Sequence, residues 1–106
     1  MSAAAQRARM VVGGETRPIL PRHARLKFDK ARGVWLLLAP ERVLTPDAIA
    51  VEVLRLCDGT RTVTAIAGEL GQKYAAPPEQ IEADVAAMLQ ELADKGFLDQ
   101  TQEERR

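Results

Sequence analysis

The fold is decided by residues 34–44, which read Val34-Trp35-Leu36-Leu37-Leu38-Ala39-Pro40-Glu41-Arg42-Val43-Leu44. The first six residues are all apolar, a run too short for a membrane span or an ordinary helix, and they follow a turn-like segment ending at Gly33. A β-strand over 34–39 is therefore predicted. Pro40 has no N–H group and must bend the chain there. Residues 42–44 then form a short third strand, which leaves unpaired N–H and C=O groups at the edge of the sheet.

The strand before this stretch has one polar face. Residues 24–29 alternate strictly, with Ala24, Leu26 and Phe28 apolar and the residues between them polar. This is the period of a strand with one solvated face, and with a turn at 30–33 it predicts a hairpin. The strand over 34–39 does not alternate, because Leu36 and Leu38 point away from the face that carries Trp35 and Leu37. Either another part of the chain or a partner is expected to cover that outer face. A domain this small has little chain to spare for it, so weak homodimerisation is predicted.

Everything after residue 45 indicates helices. Thr45 is a suitable N-cap before Pro46, and Asp58-Gly59 ends this first helix. A second helix begins near Thr64 and is broken by the prolines at 77 and 78. The third helix is predicted over residues 79–95, with one apolar stripe. That stripe comprises Ile81, Val85, Met88, Leu89 and Leu92.

The end of the third helix carries a cap signal. Gly96 is the expected left-handed residue, and Phe97 falls where it can fold back on Leu92. The fold class is thus α+β, resembling a winged helix-turn-helix, with a three-stranded antiparallel sheet followed by three helices. Residues 1–17 are expected to be a disordered tail or a linker, 18–99 the folded domain, and 100–106 a disordered C-terminal tail.

Charge divides the chain although its net charge is zero. Residues 1–45 hold nine Lys and Arg against three Asp and Glu, whereas residues 46–106 hold six against twelve. The sheet half is basic, which favours an acidic partner there, unless most of that charge belongs to a tail. The single cysteine, Cys57, excludes an internal disulfide, and no signal peptide or membrane helix is visible. A cytoplasmic location is expected.

The sequence offers little for catalysis. Nucleophilic chemistry needs a nucleophile beside a base, and a metal site needs several ligands, yet the chain has one histidine, His23, and one cysteine. Cys57 lies on a helical apolar stripe and is better explained as a packing residue. Gly13-Gly14 lacks the lysine and the strand–helix context of a phosphate loop. We therefore expect no enzyme activity, no cofactor and no metal.

Two binding functions remain open. A winged helix would bind DNA through its third helix, but the exposed side of that helix carries acidic residues, and phosphate contacts need Lys or Arg. These are Glu79, Glu82, Asp84, Glu91 and Asp94. The other function is capture of an extended peptide by the edge strand 42–44, with the stripe of the third helix as one wall. Plain core packing is the better explanation for most residues of that stripe, and Met88 is the best candidate for a residue that lines the groove.

Several segments, taken together over residues 17–99, resemble the PqqD family, the small peptide chaperones of pyrroloquinoline quinone biosynthesis. No single short motif carries this resemblance. The segments are Arg17-Pro18, residues 32–44, Ile49, residues 54–63, residues 81–85 and residues 92–98.

The resemblance implies a winged-helix-like recognition fold and a non-catalytic task. The family binds the precursor peptide PqqA and presents it to the radical SAM enzyme PqqE, and it also occurs fused behind the oxidase PqqC. In relatives of this recognition fold, the peptide is added as a strand against the third strand and beside the third helix, which correspond here to residues 41–44 and 78–95. The peptide-binding residues expected on this basis are Glu41, Arg42, Val43, Leu44, Ile81, Asp84, Val85, Met88 and Leu89. The alternative function is a winged-helix DNA-binding or dimeric interaction module.

Overall fold

A computed structural model describes residues 10–101, and the predictions for residues 1–9 and 102–106 lie outside that range. The described part is an α+β fold with a three-stranded and a two-stranded antiparallel sheet and three helices, as the sequence predicted for the larger sheet and the helices. In chain order the elements are β1 (Pro18–Ile19), β2 (Arg25–Asp29), β3 (Val34–Ala39), β4 (Arg42–Leu44), α1 (Ala48–Arg55), α2 (Val63–Tyr74), α3 (Pro78–Asp94) and β5 (Asp99–Gln100).

The larger sheet has the strand order β2-β3-β4, so β4 is an edge. Its register places Leu26, Leu37 and Leu44 opposite one another, and Leu37 is only 1% exposed. Because paired residues share a face and successive residues alternate, Leu36 and Leu38 lie on the opposite, outer face. The predicted apolar character of both faces of β3 is therefore confirmed.

The helix boundaries differ in detail from those predicted. The predicted cap Thr45 is wrong: α1 starts at Ala48, and the Asp47 carboxylate caps it by accepting a hydrogen bond of 2.8 Å from the Ala50 N–H. Aspartate caps a helix as well as threonine does, and residues 45 and 46 are left in the extended connection from β4. In α2 the cap is Thr62, whose hydroxyl accepts from the Ala65 N–H, so this helix begins one residue before Thr64.

Asp58 organises the turn between α1 and α2. Its carboxylate accepts hydrogen bonds from the N–H and hydroxyl groups of Thr60 and from Arg61. These hydrogen bonds, chiefly those from Thr60, lower the pKa of Asp58 to about 2. An aspartate that binds main-chain N–H groups two and three residues ahead forms an Asx-type turn. The helix α1 ends at Arg55, before the Asp58-Gly59 pair that was predicted to end it.

The two-stranded sheet was not predicted. Pro18 pairs with Gln100 and Ile19 with Asp99, while a separate bridge joins Ile19 to Asp58. The Thr101 N–H also donates to the Arg17 carbonyl at 2.9 Å. Strands of two residues have no periodicity that a sequence could display, so only tertiary contacts reveal them. Residues 100 and 101 thus belong to the folded part rather than to a C-terminal tail.

The N-terminal segment 10–17 is attached to the helices. The Val12 N–H donates to Oε1 of Gln90, and Nε2 of Gln90 donates to the Met10 carbonyl, both at 2.8 Å. Further on, the Thr16 carbonyl accepts from the Val63 N–H. The sequence predicted a disordered tail or a linker over residues 1–17, because this segment shows no helical or strand period. The structure instead joins residues 10–17 to the folded domain.

The core has two connected parts. One lies among the helices, and the other lies between the sheet and α3. The helical part contains Val53, Cys57, Val63, Ile66, Leu70, Val85, Leu89 and Leu98, and the sheet part contains Ala24, Leu37, Leu54 and Phe97. Leu20 and Leu92 pack against both.

The end of α3 confirms the predicted cap. Gly96 has a φ of 86°, the Phe97 N–H donates to the Leu92 carbonyl at 2.8 Å, and the Gly96 N–H donates to the Ala93 carbonyl at 3.0 Å. This pair of bonds is the Schellman motif. It turns the chain so that Phe97, 1% exposed, enters the sheet part of the core, against which Leu92 also packs.

We expect Gly96→Ala to lower the free energy of unfolding by about 1 kcal/mol or more, because a β-carbon is strained at this positive φ. The added β-carbon would also lie 3.1 Å from the Arg42 guanidinium. Chemical denaturation measures the effect. Gly68→Ala is the matched control: its β-carbon would meet no atom within 4 Å, and it lies inside α2, so it should stabilise the protein by up to about 1 kcal/mol. Equal stability of Gly96→Ala and the parent would contradict the cap.

Candidate functional site

A groove runs along α3 and consists of two adjoining apolar cavities. The edge compartment, of about 300 Å³, lies between the sheet and the C-terminal half of α3. The helix compartment, of about 720 Å³, lies between α1, the end of α2 and the N-terminal half of α3. Pro46, Ala50 and Met88 line both. The shared wall makes the two compartments one continuous surface.

The open edge of β4 lies beside the edge compartment. Leu44 faces inward and lines that compartment, whereas Val43 is 57% exposed on the outer face. A two-residue turn, Pro40-Glu41, joins β3 to β4. A β-turn is closed by a hydrogen bond from the N–H of its last residue to the carbonyl of its first residue. In this turn the last residue is Arg42, so its N–H points toward β3. Main-chain groups alternate in direction along a strand, so we infer that the N–H and C=O of Val43 point to the open side.

The turn itself holds Glu41 in an unusual conformation. Glu41 has a φ of 64°, in the left-handed region that glycine prefers, and its side chain is exposed. In a type II β-turn, proline suits the first central position and the second central position requires a positive φ. Pro40 and Glu41 match that pattern. Glu41 thus shapes the start of the edge and lines neither compartment.

Arg42 is engaged within the protein. Its guanidinium lies 4.6 Å from the centroid of the Phe97 ring, and Nη2 donates a hydrogen bond to the Lys95 carbonyl. A cation at a helix C-terminus is favourable because the last carbonyls carry partial negative charge. The sequence assigned Arg42 to peptide contact alone, whereas the structure shows that it also ties the edge strand to the end of α3.

The expected residues of α3 separate into two groups. Ile81, Asp84, Val85 and Met88 line the helix compartment, and Met88 also lines the edge compartment. Leu89 is completely buried and lines neither. It packs under the groove floor as part of the helical core.

The sequence did not single out the groove residues of α1 and α2. Ile49 and Tyr74 fell at helical spacing and resembled core residues, yet they are 56% and 46% exposed at the helix compartment. Helical periodicity identifies an apolar face without saying whether a neighbour covers it. Their exposure becomes visible only when the helices are packed.

Within residues 10–101 the chemistry-bearing side chains stand apart from each other. Cys57 is buried, its Sγ lies 3.3 Å from the Val53 carbonyl, and burial raises the pKa of its thiol to about 12, so it is a packing residue as predicted. His23 is exposed and its Nε2 donates to the Gly96 carbonyl at 3.1 Å. No group of three His, Cys, Asp or Glu in this range is arranged to hold a metal ion, and none of its helices is long and apolar enough to cross a bilayer.

The protein is a small α+β domain of the binding class. It has an open edge strand with a groove beside it, and its reactive side chains are dispersed. The family model described as coenzyme PQQ synthesis protein D (PqqD) matches residues 35–98, more than half of the chain. The chain belongs to the PqqD family.

Similar proteins extend over nearly the whole chain. A PqqA binding protein of Bradyrhizobium diazoefficiens is 61% identical over 92 residues, 87% of this chain and 89% of the relative. A bifunctional coenzyme PQQ synthesis protein C/D of Methylorubrum extorquens is 51% identical over 86 residues, 81% of this chain but 23% of that larger protein.

Two solved structures are similar in fold. The solution structure of the PqqD part of Methylobacterium extorquens PqqCD, described as a functional, stand-alone recognition element for ribosomally made, modified peptides, has a TM-score of 0.72 at 48% identity and covers 87% of this chain and 97% of its own. The crystal structure of PqqD from Xanthomonas campestris has a TM-score of 0.51 at 38% identity, with coverage of 80% and 94%.

We expect Arg42→Ala to lower the free energy of unfolding by about 1 kcal/mol, because it removes the contact with Phe97 and the hydrogen bond to α3. Thermal and chemical denaturation measure this change. Arg25→Ala is the control, since Arg25 is an exposed strand arginine on the outer face that makes neither contact. Equal stability of the two variants would show that the Arg42 contacts contribute nothing to the fold.

Proposed function

We propose that this chain is a non-catalytic peptide chaperone that binds the precursor peptide PqqA in the groove. The observation that carries the proposal is the open edge of β4 beside the apolar compartments along α3. Relatives of the chain are named PqqA binding protein, which identifies the peptide.

The geometry suits strand addition. A peptide in extended form can pair with the outward N–H and C=O of Val43 and thereby complete the edge of the sheet. Alternate side chains of that peptide then face the edge compartment, whose apolar walls include Leu44 of β4 and Met88 and Leu92 of α3. Main-chain bonds supply affinity irrespective of sequence, and the compartments select side chains.

The further steps of the function follow from the family resemblance. We propose that the bound peptide is presented to the radical SAM enzyme PqqE, which carries the chemistry that this chain lacks. The bifunctional C/D relative supports an association with PqqC. We propose that the protein acts in the cytoplasm.

DNA binding is the less favoured alternative. The side of α3 that a winged helix would present to the major groove carries the exposed carboxylates of Glu79, Asp84, Glu91 and Asp94. Phosphates would be repelled, because most nucleic-acid affinity comes from Lys and Arg contacts to the backbone.

A dimeric module has more support, from the outer face of the sheet. Val34 and Val43 are 39% and 57% exposed there, beside the half-buried Leu36 and Leu38. We expect sedimentation at rising concentration to detect weak self-association through this face. Leu36→Lys should abolish it, with Val11→Lys, at a residue 70% exposed outside the sheet, as the control. A strict monomer at every concentration would contradict this second interaction.

Strand addition predicts that the Val43 N–H matters more than the Val43 side chain. We expect Val43→Pro to weaken PqqA binding at least about fivefold, since it deletes one main-chain donor and places a ring on the open edge. Val43→Ala keeps the donor and should bind almost as the parent does. Fluorescence anisotropy with labelled PqqA of Bradyrhizobium diazoefficiens measures both.

Neighbouring positions control for damage to the fold. Pro at 42 or 44 would remove an N–H that faces β3, so those variants should lose stability together with binding. Val43→Pro should keep most of its stability in denaturation. A folded Val43→Pro protein that binds PqqA at full strength would exclude strand addition at this edge.

A further inference from the structure

The helix compartment has features that the edge strand does not need. It is the larger of the two, and its walls include Ile49, Val53, Ile81 and Val85. Ile49 keeps 56% of its surface exposed, although isoleucine is among the residues most often buried. At about 720 Å³ the helix compartment has the volume of a small-ligand pocket, so it has ample room for a large aliphatic or aromatic side chain.

The rim of the helix compartment is negatively charged. Asp47 and Asp84 line it, and its described lining residues include no Lys or Arg. Asp84 is exposed, and within residues 10–101 its carboxylate makes neither a hydrogen bond nor an ion pair. Lys73, next to the lining residue Tyr74, is held by Glu52 at 2.7 Å. Asp47 already caps α1, so Asp84 is the rim carboxylate that complements a cation.

The distance to the edge compartment suits an extended peptide. Asp84 of α3 lines the helix compartment, and Lys95, the C-cap of the same helix eleven residues later, lines the edge compartment. At 1.5 Å per residue the helix rises about 16 Å between them, which an extended chain covers in about five residues. The compartments adjoin along this distance, since Pro46, Ala50 and Met88 line both.

We propose, on the basis of the proposed function, that the helix compartment is a second anchor site for the same peptide. It takes one large apolar side chain, together with a Lys or Arg one or two positions away that pairs with Asp84. This pair lies about five residues along the peptide from the segment added to β4. The two anchors set the register, which main-chain pairing on a three-residue edge leaves undefined.

A charge scan tests the cationic half of the anchor. Each position of the labelled Bradyrhizobium diazoefficiens PqqA peptide is replaced in turn by Lys and by Glu, and each version is titrated with the parent protein, Asp84→Lys and Glu79→Lys. Glu79 is an exposed carboxylate on the same helix that lines neither compartment. Asp84→Lys and Glu79→Lys therefore make the same change of charge, inside and outside the site.

At one position of the peptide, or at two adjacent positions, the Lys version should bind the parent protein about threefold tighter than the Glu version. This is the difference expected for an exposed ion pair with Asp84. Asp84→Lys should reverse that preference and Glu79→Lys should leave it unchanged. The preference should fall at high salt. If no position changes its preference with Asp84→Lys, the inference is wrong.

The apolar half is tested by a double-mutant cycle. An Ala substitution at the peptide's apolar anchor should weaken binding to the parent protein about tenfold. The same peptide substitution should weaken binding to the Ile49→Ser variant only slightly, because both changes remove the same contact. Val34→Ser, an exposed apolar residue on the outer sheet face, is the control and should leave the peptide effect intact. Independent, additive effects of Ile49→Ser and the peptide substitution would overturn the apolar anchor.

The outcome also separates this inference from the proposed function. Loss of binding in Val43→Pro with no response to Asp84→Lys or Ile49→Ser would keep the chaperone function and reject the second anchor. Failure of PqqA to bind the parent protein would reject both.

Discussion

The position of Phe97 determines how the two halves of the protein meet. The ring is 1% exposed and packs with Leu37 of the sheet and Leu54 of α1. It reaches that position because Gly96 turns the chain sharply at the end of α3. Arg42, from the edge strand, lies over the outer side of the same ring. One aromatic side chain thus sets the spacing between β4 and α3, which is the width of the edge compartment.

Much of the fold could be predicted because its signals are local. The alternation over residues 24–29, the block at Pro40 and the glycine at 96 each restrict the main chain through neighbouring atoms alone. The elements that were missed depend on distant partners. Pro18 and Gln100 are far apart in sequence, and the segment around Met10 is held by the Gln90 side chain. The first helix cap was misplaced by two residues, because Thr45 and Asp47 are equally suitable caps and the choice depends on the path from β4.

The candidate site could be predicted only along its edge. A short strand after Pro40 indicates an open edge, and the stripe of α3 indicates a wall. Which members of that stripe remain accessible depends on how closely α1 and α2 approach it. Leu89 and Met88 are adjacent in sequence and both apolar, yet one is sealed in the core and the other lines the groove. No periodicity separates exposed apolar residues such as Ile49 from buried ones, because exposure is a property of the packed helices.

The pairing of β1 with β5 has a mechanical consequence. Arg17 and Thr101, which flank this small sheet, are hydrogen-bonded to each other. Before β1, Val12 is bonded to Gln90 of α3 and Thr16 to Val63 of α2. A pull on the chain before β1 therefore acts first on these bonds and then on the β1–β5 pair. The edge of β4 lies further along the chain than all of them, so it keeps its shape until they have opened.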